Sequence, residues 1–249
     1  MSEFSLTNPN RTIHVGVILM NSITEALDVV PVDLLHGVSQ RFIEAMPTLI
    51  PEPFKDQGLP IDFHWVSENG AADTRQLSSG LNVTPTDSFA DCPPLDIVLV
   101  GAHHIDYVLS DAERAFVRRA YADCAAFMTV CGGVQVAVEA GLVAGKTVTG
   151  PRFMLPRFRA AAPDAAAWVE KRFVRDGKLW TSGALHNGLD MMAAFMRQTW
   201  PAPPAGAAGA GAKQQQGAAN LVDFGLVLGS GLNRDVDYKD EPLPALPVA

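Results

Sequence analysis

Residues 127–134 read Phe127-Met128-Thr129-Val130-Cys131-Gly132-Gly133-Val134, and this stretch decides the fold. Residues 126–130 form a short apolar run, the pattern of a strand buried on both faces. Residues 132–141 then read as a helix that ends on Gly141. Cys131 therefore stands on a sharp turn between a strand end and a helix start. The glycines after it let the chain turn without a Cβ clash. A helix start offers unpaired backbone N–H groups and a partial positive charge. Both favour thiolate over thiol, so Cys131 is expected to have a lowered pKa and to act as a nucleophile. The same N–H groups can receive an oxyanion or an enolate. A free cysteine is more often a small, inert core residue. Cys92, beside Pro93-Pro94, and Cys124, late in a helix, keep that plain reading.

Working outward, residues 96–100 (DIVLV) and 13–20 (IHVGVILM) read as buried strands, and 61–67 (IDFHWVS) as an alternating one. Residues 81–84 suggest a short extended arm, and 146–149, 173–175 and 179–182 suggest further strands. Asp176-Gly177 marks a hairpin. Helices are expected over 31–46, opened by Pro31, over 110–124, where Ser110 and Glu113 form a capping box, and over 188–200. Residues 47–60, rich in proline, read as a loop. Strands alternating with helices imply an α/β domain, a mostly parallel sheet with helices on both faces. The expected division is a tail over 1–12, the domain over 13–200, a linker over 201–219 (PAPPAGAAGAGAKQQQGAA) and a tail over 220–249. In that last tail, the apolar patch 221–228 could dock back on the domain.

A chain of 249 residues with 48% hydrophobic residues can bury a large core without staples. The net charge is −8 and no Lys/Arg block occurs, which argues against nucleic acid as a partner. No signal-peptide core precedes residue 12, and no apolar run approaches the roughly 20 residues of a membrane span. Three cysteines, without metal-type spacing or an even-numbered framework, fit a reducing, cytoplasmic setting. His103 and His104 are adjacent and have no matching Cys/His pair, so no metal site is expected. Neither a Gly-x-Ser-x-Gly elbow nor a glycine-rich phosphate cradle is present, and no cofactor is expected.

Three segments together resemble the ThiJ/PfpI superfamily, which includes isonitrile hydratases, glyoxalase III-type enzymes and PfpI proteases. They are 27–35 (LDVVPVDLL), 96–104 (DIVLVGAHH) and 129–149 (TVCGGVQVAVEAGLVAGKTVT). The hairpin over 174–183 and the helix after Gly188-Leu189-Asp190 also fit, so the likeness runs from about 13 to 200. It implies a flavodoxin-like fold with the nucleophile elbow at Cys131, and a homodimer, for which 32–35 could supply an apolar patch. Two departures stand out. The histidine that usually follows the Thr-Thr after the nucleophile helix is missing from Thr149-Gly150-Pro151-Arg152. The usual Pro-Gly-Gly turn is replaced by Gly101-Ala102-His103-His104.

Asp28 lies at the strand edge where ligand crevices form in such sheets, although an aspartate there could equally cap a helix. Beside a thiolate it should have a raised pKa and could shuttle a proton. Its spacing to Pro31 is one residue short of the isonitrile hydratase-like pattern, so Glu25 is a reserve candidate. His103 could replace the missing histidine as acid or base. Ala102, His103, Gly132, His186 and Arg152 are candidates for binding substrate or an oxyanion. His14, His36 and His64 read as surface or core-edge residues. The resemblance implies a cofactor-free lyase of the isonitrile hydratase type, adding water to a small carbon electrophile. Alternatives are a lyase, isomerase or cyclase of secondary metabolism, a redox or stress sensor acting through Cys131, and a glyoxalase- or deglycase-like enzyme. A regulator's sensor domain is a further alternative, although no helix-turn-helix segment follows the core.

Overall fold

The structure is a computed structural model and describes residues 4–202, 220–228 and 234–239. Its strands are β1 Ile13–Ile18, β2 Ile61–Ser67, β3 Arg75–Gln76, β4 Asn82–Val83, β5 Asp87–Ser88, β6 Ile97–Val100 and β7 Ala126–Val130. They continue with β8 Thr147–Val148, β9 Ala167–Trp168, β10 Phe173–Asp176 and β11 Leu179–Ser182. The α-helices are α1 Ala26–Val29, α2 Val32–His36, α3 Gln40–Ala45, α4 Glu52–Lys55 and α5 Asp111–Asp123. After them come α6 Val134–Glu139, α7 Leu155–Ala161, α8 His186–Thr199 and α9 Leu221–Leu228.

Seven strands form one sheet in the order β10-β11-β7-β6-β1-β2-β5. Every neighbouring pair is parallel except the β10–β11 hairpin, which turns at Gly177. Alternation along the buried strands builds a core on each face. Ile97, Leu99, Met128 and Val130 point to one side, where α8 contributes Met191, Met192, Phe195 and Met196. Val98, Val100 and Phe127 point to the other, covered by Phe116 and Val117 of α5, Val134 and Ala137 of α6, and Phe158 of α7. The capping box at the start of α5 is formed by Ser110 and Glu113.

The single helix expected over 31–46 is instead two, α2 and α3, with α1 before them. Tertiary pairing breaks it. Ser39 is extended, bridges to Leu59, and turns its hydroxyl to accept the Phe42 N–H at 3.1 Å, capping α3. The loop expected over 47–60 contains the single turn α4. The patch over 32–35 is also corrected. Val32 and Leu35 are buried, and the exposed apolar side chains of this region are Ile23, Leu27 and Val30. Strands β8 and β9 pair only with each other, outside the main sheet.

Residues 4–6 and α9 lie against the domain. Phe4 and Leu6 pack on the α8 side, and the Trp200 indole donates to the Leu6 carbonyl at 2.7 Å. Helix α9 buries Leu221, Val222, Phe224 and Leu226 in the same core. The linker over 201–219 lies outside the described residues from 203 onward. Among the described residues, no helix is long and apolar enough to cross a membrane.

Candidate active site

Strand β7 ends in an extended Val130, and the next residue, Cys131, has φ 57°. A left-handed residue other than glycine stores about 1–3 kcal/mol of strain and persists only where its surroundings enforce it. Here the Cys131 N–H donates to the Gly183 carbonyl at 3.2 Å. Residues Cys131–Gly133 make one 3-10 turn that runs into α6. Gly133 is required by close approach, since a Cβ there would lie 2.5 Å from the Val100 carbonyl oxygen.

Opposite the thiol stands Asp28, in α1 and fully buried. Its Oδ2 accepts the Ala102 N–H at 3.0 Å, and Gly101 beneath it leaves room for the side chain. Its Oδ1 is buried with no hydrogen-bond partner of normal geometry. Burial raises Asp28 to about 7, against the pull of the Ala102 N–H and with a further push from Glu25. The Leu185 N–H and the Cys131 thiol pull it weakly down. The upward direction matches expectation, but burial leads rather than charge repulsion.

The expectation for Cys131 is corrected. Burial first, and Asp28 second, push its thiol up to about 12, while the Gly132 and Leu185 N–H groups pull weakly the other way. The backbone N–H effect expected from the turn is present, but it is outweighed by desolvation. The pair therefore rests near neutral pH as a thiol beside a carboxyl group that titrates close to 7. That arrangement can pass the thiol proton to Asp28 as sulfur attacks, and return it afterwards.

The other candidates are spread around this pair. The Glu25 N–H donates to the Ala102 carbonyl at 2.8 Å, and its carboxylate accepts the Ser78 hydroxyl at 2.8 Å, so it supports the turn. Ala102 holds Asp28 by its N–H and lies against Gly132. His103 stands edge-on to Tyr107 at 5.6 Å, with both ring nitrogens buried and without a partner of normal geometry. Burial lowers its pKa, against the opposite pull of Glu139 and Glu113. His186 is exposed at the start of α8. Arg152 is paired with Glu170 at 2.5 Å, and its guanidinium lies 4.4 Å from the Tyr238 ring centre. Among the described residues, no group of three or more His, Cys, Asp or Glu could hold a metal ion.

Sequence reasoning named His186 from the 183–187 segment but missed the backbone groups of Gly183 and Leu185 beside it. Gly183 accepts the Cys131 N–H, and the Leu185 N–H acts on both Cys131 and Asp28. Backbone groups carry this role, so residue types give no signal beyond the glycine itself.

Over 118 residues the chain is 35% identical to the isonitrile hydratase of Pseudomonas putida, a stretch that is 45% of this chain. It spans about half, 49%, of that relative's length. Among solved structures, a THiJ/PfpI family protein from Pseudomonas syringae matches with a TM-score of 0.59 and 17% identity. That match covers 93% of this chain and 77% of the other. Drosophila melanogaster DJ-1beta matches with a TM-score of 0.56 and 16% identity over 76% of this chain and 90% of its own. An AraC family transcriptional regulator from Pseudomonas putida matches at 0.59 and 15%, over 76% and 92%. At these identities the three structures share the fold alone. The family model matches residues 47–198, which include Cys131 and its turn but not Asp28, and with that match the chain belongs to the DJ-1/PfpI family.

Proposed function

We propose that the protein is a cofactor-free, cysteine-dependent hydratase that converts an isonitrile to the N-substituted formamide. The observation that carries this reading is the pairing of Cys131, held at φ 57°, with a buried Asp28 that titrates near 7. The likeness to the isonitrile hydratase supports the substrate class.

Asp28 takes the thiol proton as the Cys131 sulfur bonds to the terminal carbon of R–N≡C. It then delivers that proton to the same carbon, leaving a thioimidate, R–N=CH–S–Cys131. Asp28 next takes a proton from water as its oxygen adds to the carbon, and passes it to nitrogen. Collapse of R–NH–CH(OH)–S–Cys131 breaks the carbon–sulfur bond and releases R–NH–CHO. The hydroxyl proton returns through Asp28 to the thiolate. The sum is one isonitrile plus one water, with no redox change. The Gly132 and Leu185 N–H groups favour the thiolate as it forms and as it leaves.

A redox sensor is disfavoured, because oxidation follows thiolate character, and this half-buried thiol is held protonated beside Asp28. The exposed Ile23, Leu27 and Val30, close in sequence to Asp28, suit an isologous interface, so the working unit in this reading is a homodimer. Sedimentation as a monomer across micromolar concentrations would rule that out. The deciding experiment for the activity is incubation with a small alkyl isonitrile, with formamide followed by NMR. Formamide production that depends on Cys131 supports the reading, and production at the buffer rate refutes it.

A further inference from the structure

Leu185 stands at φ 52°, ψ −109°, a conformation that side-chain-bearing residues rarely adopt. Its neighbours on one side are tied to the sheet. The Gly183 N–H donates to the Arg172 carbonyl at 2.8 Å, and the Gly183 carbonyl accepts the Cys131 N–H. On the other side the fastening comes from residues 234–239, far away in sequence and beyond the span matched by the family model. The Tyr238 hydroxyl accepts a hydrogen bond from Asn187 Nδ2 at 2.8 Å. The Arg234 guanidinium donates to Asn187 Oδ1 at 3.3 Å and to the buried Asp190 at 2.5 Å. Arg172, itself buried, donates from its backbone to Val236 O at 2.8 Å and from Nε to Asp235 O at 2.9 Å.

Tyr238 is the centre of this arrangement. Its ring lies between two guanidiniums, 4.4 Å from that of Arg152 and 4.6 Å from that of Arg172. Its hydroxyl comes so close to the loop that a Cβ on Gly183 would lie 2.6 Å from it. An aromatic ring between two cations is held in place and orientation. Its hydroxyl is therefore a fixed point against which Asn187 and the loop are set.

We propose that residues 234–239 are a positioning element of the Cys131 site. They hold the 183–187 loop in its strained form, with Tyr238 as the pin, and so keep the Leu185 N–H directed at the Cys131–Asp28 pair. This rests on that pair being the functional site. Without the strap, the Asn187 side chain keeps, among the described residues, an Arg172 contact at 3.5 Å, and Asp190 loses the Arg234 ion pair. The loop is then free to relax to ordinary backbone angles, and the N–H turns away.

The test uses the full chain and needs no substrate. Alkylation of Cys131 by iodoacetamide is followed by mass spectrometry from pH 5.5 to 9, in the unmodified protein, Tyr238→Ala and Tyr238→Phe. In the unmodified protein the rate rises as Asp28 becomes a proton acceptor. The Leu185 N–H favours the charged form of Asp28, so its loss moves that rise to higher pH in Tyr238→Ala. The expected displacement is about half a unit, which is about threefold in rate on the rising limb. Tyr238→Phe keeps the ring between the guanidiniums and loses only the hydroxyl, so it moves in the same direction by less. It carries the test if Tyr238→Ala does not fold. An unmoved profile in the folded variants overturns the proposal. So does a profile moved to lower pH, or uniformly faster alkylation, since either makes the strap a cover rather than a positioning element. A Cys131 that never reacts faster than Cys92 or Cys124 in the unmodified protein is a different failure. It removes the site reading itself.

Discussion

Two thiols in this molecule, Cys131 and Cys92, are pushed up to the same value of about 12, and burial leads in both. Cys92 lines a groove of about 280 Å³ with Phe89, Leu95, Phe116, Arg119 and Asp123, and its thiol donates to the Pro93 carbonyl at 3.3 Å. The carboxylates near it, Asp87 and Asp91, are already engaged. Asp87 is bound to His64 at 3.0 Å, and the Ser88 hydroxyl and N–H hold Asp91 below the usual carboxylate value. Beside Cys131, Asp28 keeps one buried oxygen without a regular partner and titrates near 7. Thiol acidity therefore does not set the proposed nucleophile apart from Cys92. The state of the neighbouring carboxyl group does.

The largest expected effect is on turnover. Cys131→Ala should reduce formamide formation to the background rate while leaving the circular dichroism spectrum intact, whereas Cys92→Ala should be nearly indistinguishable from the unmodified protein. Full activity in Cys131→Ala would break the comparison outright. Next comes Asp28→Asn, which keeps the shape and removes the proton acceptor. It should lower the rate by about 10²- to 10⁴-fold, the range for general acid–base catalysis. An undiminished rate would pass the role to another group.

Asp28 also has a signature in stability. Its folded value lies above its ordinary value of 3.8, so its protonated form is favoured by folding. The resulting stabilisation is complete below about pH 4 and is lost as pH rises through about 7. Asp28→Asn should therefore be more stable than the unmodified protein at pH 8, by at most about 4 kcal/mol, and should lose that advantage at pH 4. Urea midpoints at the two pH values read this directly, and equal midpoint differences would mean that Asp28 is not buried as described. The smallest effect is in labelling. At pH 8 iodoacetamide should modify Cys131 about tenfold faster than Cys92 or Cys124, since the carboxylate beside Cys131 is a stronger base than the engaged Asp91 near Cys92. Parallel labelling of all three would erase the distinction drawn here.

Much of the frame was legible in the chain. Buried strands such as 97–100 and 126–130 are continuous apolar runs, and their neighbours need no distant information to be placed. The same holds for the Ser110–Glu113 cap and the Asp176-Gly177 hairpin, which are local chemistry. Residues 31–46 were misread because their helical pattern is overruled at Ser39 by a bridge to Leu59, twenty positions away. The thiol's direction was misread for a related reason. A turn advertises its backbone N–H groups in sequence, but the depth at which it will be buried is not written beside it.

The sequence by itself determined the parallel sheet, the turn that presents Cys131 and the presence of a carboxylate near the first strand. These follow from periodicity, from glycines where side chains cannot fit, and from spacings of a few residues. Only the tertiary structure decided how the pair is protonated, because desolvation is a property of everything packed around it. Only the tertiary structure brought the 183–187 loop to Cys131 and residues 234–239 to that loop. Contacts across 50 residues or more depend on where whole strands and helices come to rest, and no local pattern specifies that.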